Sequence, residues 1–275
     1  MVEIIPRFNI PRNLPSFVDQ SEMPILDAVC ITFSNLSTGG FSIRNASIGS
    51  YQSSATEYVI LAFMLIGSIN FTLYFYCLKG KIYRLYEPEF IIYLLTIIVG
   101  VCFVSWHLIG SEKILLTGEK GIYSLGEAFR YGAFHFISAQ TSTGYATADL
   151  NLWPLQNQVL LLLIMFVGSM SGSTGGGIKI VRHYMLFRIA KNKIESIFRP
   201  ETVRTFRIGN HDVDDKAAVT VLTFFFIVLS LSVAGTLFMV LDGVDPETAL
   251  SVNTCMINNI GLAFRAAGPT ESFAF

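Results

Sequence analysis

The chain has 275 residues, of which 52% are hydrophobic and only 14% charged, with a mean hydropathy of +0.54. A soluble domain of this length carries about 25% charged residues, so the composition belongs in a bilayer. A net charge of −1 offers no basic excess for nucleic acid. The four scattered cysteines (Cys30, Cys77, Cys102, Cys255) form no CxxC pair and read as reduced thiols rather than a disulfide framework or zinc site.

Residues 1–24 contain several prolines and no apolar core; they read as an irregular outer segment rather than a signal peptide. A membrane-crossing helix needs about 20 mostly apolar residues. Four stretches supply them: Glu57 to Leu78, Glu89 to Ile109, a third starting near Gln158 and interrupted near Gly168, and Ala217 to Leu241. Basic residues crowd two connections. Lys79, Lys81 and Arg84 follow the first span, and Lys179, Arg182, Arg188, Lys191, Lys193, Arg199, Arg204 and Arg207 follow the third. The positive-inside rule makes both cytoplasmic and leaves the other connections outside. The predicted fold is an all-α integral membrane protein.

Three shorter stretches remain on the outer side: Asp27 to Ser42, Gly132 to Ala146 and Ala249 to Ala263. Aligned on Gly40, Gly144 and Gly261, they carry small residues twelve positions earlier (Ala28, Gly132, Ala249) and six positions earlier (Ser34, Ser138, Cys255). A long internal period signals a repeated unit. Here the unit reads as helix, pore helix, filter strand and helix around a central pore. Exposed backbone is too costly in hydrocarbon to survive unless protein or water covers it. A half-helix ending at a glycine is thus a candidate re-entrant loop whose carbonyl oxygens replace an ion's hydration shell. The plainer reading, three outer loops with turn glycines, accounts for any one of them but not for three on the same side.

The third span breaks inside the membrane. Gly168, Gly172, Gly175, Gly176 and Gly177 are interleaved with Ser169, Ser171, Ser173 and Thr174. Glycine disfavours helix by about 1 kcal/mol per residue, and a polar break at that depth must line a cavity. It reads as a gating loop, against the alternative of a small-residue packing face. A phosphate-binding loop is excluded: Ile178 separates Gly177 from Lys179, and no soluble strand precedes it. His135 and His107 lack metal partners at helical spacing and read as packing residues, while Trp106 and Trp153 read as interfacial aromatics. Asp27, Glu127 and Glu247, near the starts of the short helices, either favour the helix N-termini or lend the outer mouth negative potential.

The segments from Thr38 (TGGFSIRNASIG), Thr141 (TSTGYATADLNLWP), Gly168 (GSMSGSTGGGIKIVR) and Asn258 (NNIGLAFRAAGP) resemble the Trk/Ktr/HKT potassium transporters, most closely the Trk branch. The resemblance implies four repeats around one ion path, with K⁺ as transported ion and no cofactor. It assigns Thr38, Gly39 and Gly40, Ser142, Thr143 and Gly144, and Asn259, Ile260 and Gly261 to the selectivity filter. It assigns Gly168, Gly172, Ser173, Thr174, Gly175, Gly176 and Gly177 to the gate. Residues 25–78 then form the second half of repeat two. Residues 89–192 form repeat three with its gating loop at 168–177, 193–215 a cytoplasmic loop, and 216–275 a truncated repeat four. On that pattern the chain lacks repeat one and the last helix of repeat four, which in the family bears a basic residue facing the gate. The resemblance also implies a multi-pass location in a bacterial inner membrane, contact with lipid, a homodimer and a cytosolic nucleotide-binding regulatory subunit. Two readings compete: potassium uptake, or a non-conducting fragment or accessory subunit. No HExxH motif, paired carboxylates or Ser/His/Asp set supports an enzyme.

Overall fold

The computed structural model describes residues 23–198, 207–208, 211–212 and 215–269. Residues 1–22 of the outer N-terminal segment and most of residues 199–214 of the cytoplasmic loop lie outside the described residues.

Short helix α1 (Ile25–Leu36) leads through a 3₁₀ turn (Ser47–Tyr51) to α2 (Ser54–Ser68), whose cap Ser53 accepts from Thr56 N. The stretch expected to cross as one helix does not. It breaks at Ile69 and Asn70, and α3 (Phe71–Leu78) leaves at 90° to α2. Asn70 ends the first helix and starts the second, its side chain accepting from Thr72 N. A polar residue with cap chemistry within an apolar run decides direction where hydropathy cannot.

Helix α4 (Pro88–Leu108) has 21 residues, about 30 Å at 1.5 Å per residue, enough to cross. One face is buried through Tyr93, Ile97, Val101, Val104 and Leu108, and the other shows Ile91, Leu95, Ile98 and Val99 to the surroundings. A hairpin of β1 (Glu112–Ile114) and β2 (Lys120–Ile122) then leads into short helix α5 (Leu125–Gln140), fixed at its start by a capping box of Ser124 and Glu127. Helix α6 (Leu155–Val167) stops at Gly168, and α7 (Ile180–Phe198) resumes twelve residues later, running through residues 193–198 of the segment read as a loop. After the small pair β3 (Arg207–Ile208) and β4 (His211–Asp212), the long apolar α8 (Asp215–Leu241) precedes short helix α9 (Pro246–Ile257).

Each short helix packs on its own flanking helix: α1 on α2, α5 on α4 and α6, and α9 on α8. Contacts of α2 with α5 and of α6 with α9 join the three groups into an arc. Helix α5 is the centre, with every residue from Tyr131 to Gln140 buried. The joints are polar. Arg130 on α5 makes two bonds to Glu57 on α2, at 2.6 and 2.8 Å. Asn253 on α9 donates to Ser232 O on α8 at 2.6 Å. Trp153 is a correction to the sequence reading. Trp106 is 76% exposed, but Trp153 is 3% exposed, edge-on to His135 and donating to the Tyr123 hydroxyl. His135 is held in the core by Tyr131 O on one nitrogen, while the other accepts from Thr147 N and Ala148 N.

The Arg130–Glu57 pair is tested by substitution. Glu57→Gln leaves a guanidinium without its counter-charge in a buried joint, and about 3 kcal/mol of stability should be lost. Thermal unfolding in detergent measures this, and the double change to Leu at both positions should recover most of it.

Candidate functional site

The C-terminal ends of α1, α5 and α9 are built alike. In each, the second residue after the helix has a positive φ: 52° at Thr38, 61° at Ser142 and 55° at Asn259. Each of these amides bonds three residues back, to Asn35 O, Ala139 O and Met256 O. The next amide reaches back five residues: Gly39 to Ser34 O at 2.7 Å, Thr143 to Ser138 O at 3.0 Å and Ile260 to Cys255 O at 3.0 Å. This double bond pattern is the Schellman motif, which normally places glycine at the positive-φ position. A side chain there costs roughly 1–3 kcal/mol. The small residues aligned six positions before Gly40, Gly144 and Gly261 are thus the carbonyls that receive this bond. With the N–H groups turned back on the helix, the carbonyls of the following residues are left to point elsewhere.

Gly40, Gly144 and Gly261 come next, at φ of 69°, 84° and 82°. The segments meet edge to edge. A Cβ on Gly40 would lie 1.7 Å from Thr143 O, and one on Gly144 would lie 1.7 Å from Ile260 O. On Gly261 it would meet nothing within 4 Å. Residues 38–40, 142–144 and 259–261 therefore stand side by side in that order, with the last flank open. Further on, Tyr145 OH donates to Ile31 O at 3.3 Å, and Asn151 exchanges two bonds with the backbone of Arg265.

The glycine-rich run lies against the same three helix ends. Thr174 Oγ1 donates to Leu36 O at the end of α1 and to Gly67 O in α2. Side chains at Gly175 and Gly176 would collide with Thr141 O and Asn258 O, past the ends of α5 and α9. Three glycines in succession let one backbone touch two helix termini. The run is anchored on its far side by the bend between α2 and α3. Met170 N donates to Ser68 O, Thr174 N to Gly67 O, and Gly172 O accepts from Phe71 N. Glu89, in the first turn of α4, accepts from Ser171 N at 2.6 Å. Sequence reading missed Ser68, Asn70 and Glu89. The available signal was polar and acidic chemistry within or at the edge of an apolar run.

The acidic residues near the starts of the short helices are each paired. Asp27 accepts from Arg44 at 3.0 Å and Tyr51 at 2.8 Å, Glu127 from Lys113 at 2.6 Å and Glu247 from Arg265 at 2.5 Å. Arg44 and Arg265 each stand four residues past a positive-φ glycine. Paired carboxylates anchor the loops and leave little free negative potential. The Lys113 ammonium and the Ser124 amide hold the Glu127 carboxyl down at about 2. Its contribution is complete above the ordinary carboxylate value and is lost only as pH falls towards that figure. No group of three or more potential metal ligands occurs among the described residues.

A family profile described as TrkH, cation transport protein, matches residues 4–272. The chain is 31% identical over 244 residues to the Trk system potassium uptake protein TrkH of Salmonella typhimurium, covering 87% of this chain and 48% of the relative. It is 33% identical over 249 residues to the Trk system potassium uptake protein TrkG of Escherichia coli, covering 89% and 49%. The crystal structure of the potassium transporter TrkH from Vibrio parahaemolyticus matches with a TM-score of 0.79 at 28% identity, over 90% of this chain and 52% of that one. The chain thus spans about half the length of the curated relatives it matches.

The unequal surroundings of the three glycines give a graded expectation. Gly261→Ala meets only the φ penalty, about 1–2 kcal/mol, whereas Gly40→Ala and Gly144→Ala must also displace a neighbouring carbonyl and should cost several kcal/mol. Melting temperatures of the three variants in one detergent should rank in that order.

Proposed function

We infer, for a chain that belongs to the TrkH family of cation transport proteins, that it forms three walls of a potassium path in a bacterial inner membrane. The relatives named as potassium uptake proteins support K⁺ as the ion. The observation that carries the reading is the lateral meeting of three identical turns, each with its amides bound back to a helix, with Gly40 and Gly144 each against the next segment's carbonyl. Oxygens so released are free to coordinate a dehydrated cation. The short helices α1, α5 and α9 end at this place, and the negative ends of their dipoles favour a cation there.

In this reading Thr38, Gly39, Gly40, Ser142, Thr143, Gly144, Asn259, Ile260 and Gly261 line the filter. The loop 168–177 lies across its inner end and gates it. The empty flank of Gly261 is where a fourth segment completes the ring, supplied by polypeptide outside this chain's three. That openness also favours the second reading, in which this chain by itself is a non-conducting part of such a transporter.

Two measurements test the pair of readings. Expression of the chain alone in a potassium-uptake-deficient strain should fail to restore growth at low K⁺. Co-expression with the first half of a Trk relative should restore it. In the restored system Gly144→Ser, which pushes on Ile260 O, should lower the K⁺/Na⁺ flux ratio by roughly ten-fold. An unchanged ratio would remove Gly144 from the filter.

A further inference from the structure

Lys179 closes the glycine-rich run in a positive-φ conformation, at 75°. That turn sends its half-buried side chain back beneath the loop rather than out towards water. Nζ donates to Met170 O at 3.2 Å, to Ser173 O and Ser173 Oγ at 3.4 Å, and to Gly175 O. Three carbonyls and one hydroxyl of a single ten-residue segment thus surround one ammonium. The neighbouring cation takes no part: Arg182 donates to Ile178 O and lies over the Phe224 ring at 4.3 Å. Glu89 holds the same segment from the side of Ser171.

Converging carbonyl dipoles repel one another unless a cation sits among them. An ammonium and a potassium ion are similar in size, and both are held by such oxygens. We propose that Lys179 is a positioning residue for ion passage, its ammonium acting as a tethered substitute for a monovalent cation that holds the loop in its compact, path-crossing form. The proposal rests on reading residues 168–177 as the gate. It also explains why a lysine accepts a backbone conformation that suits glycine.

A neutral side chain should convert the cage into a site for a free ion. The test is amide hydrogen exchange on the full chain in nanodiscs, followed in the peptide spanning 168–178. Its amides at Met170, Ser171, Thr174 and Ile178 bond to Ser68 O, Glu89, Gly67 O and Phe166 O. In N-methylglucamine chloride, Lys179→Met should exchange here about ten-fold faster than the unaltered chain, with α4 and α5 unchanged. Potassium chloride should return it towards the original rate, while Lys179→Arg, still charged, should not respond to the salt. Equal protection of Lys179→Met and the unaltered chain without potassium, or loss that potassium does not reverse, overturns the proposal. Should Lys179→Met also lose protection in α4 and α5, the unaltered chain decides. Acetylation of Lys179 by an N-hydroxysuccinimide ester at about pH 8 should be roughly ten-fold slower than that of exposed Lys81, and equal rates overturn the proposal. None of these readouts requires ion flux, so their failure is separate from a failure of the transport reading.

Discussion

The arrangement at the centre of the protein depends on how three helices are allowed to stop. A helix end leaves carbonyls without partners, and many helices satisfy them with glycine in a left-handed turn. Here Thr38, Ser142 and Asn259 take that turn with side chains attached. Thr38 and Ser142 are held there by burial, both almost fully enclosed, whereas the exposed Asn259 is a residue type that tolerates the left-handed region. In all three turns the amides on either side are committed to the preceding helix. Once those N–H groups are spoken for, the glycine that follows can approach the adjacent segment with no side chain between them. Packing of α5 among α2, α4 and α6 then fixes where the middle segment stands.

The break between α6 and α7 is the complement of this centre. A continuous helix from Leu155 onward would bury its hydrogen bonds internally and have none to offer. Interrupted at Gly168, the chain instead bonds to α2, to the bend before α3, to α4 and to the end of α1. The bend at Ile69 and Asn70 is part of that cradle, since Ser68 and Phe71 on its two sides each bond to the loop. Two irregularities in two different apolar stretches therefore support each other, each supplying hydrogen-bond partners that the other's interrupted backbone needs.

Much of this was legible in residue order. Apolar length located α4 and α8, the glycine spacing aligned the three turns, and the density of glycine and serine after Val167 marked the break. The small residues six positions before each glycine were visible as a pattern, while their purpose, receiving an amide five residues on, needed the turn itself. Other features were hidden for physical reasons. Hydropathy measures what a segment avoids and says nothing of its direction, so the right angle at Asn70 was lost within an apolar average. Charge counts do not reveal pairing, so Asp27, Glu127 and Glu247 could be read either as favouring the helix N-termini or as an attractive field, and their role as loop anchors waited on the location of Arg44, Lys113 and Arg265. Trp153 shows the same limit: a tryptophan before a proline at a span's outer end fits an interface, and only the neighbouring His135 and Tyr123 reveal an enclosed ring.

Thr38, Ser142 and Asn259 share one backbone role yet carry a methylated hydroxyl, a bare hydroxyl and an amide. In an assembly of identical subunits, one codon change at such a place is multiplied around the axis and its effect arrives all at once. A covalently joined series escapes that arithmetic. Each turn can be revised singly, in small doses, and the turns are free to drift into unlike chemistries while keeping a common frame.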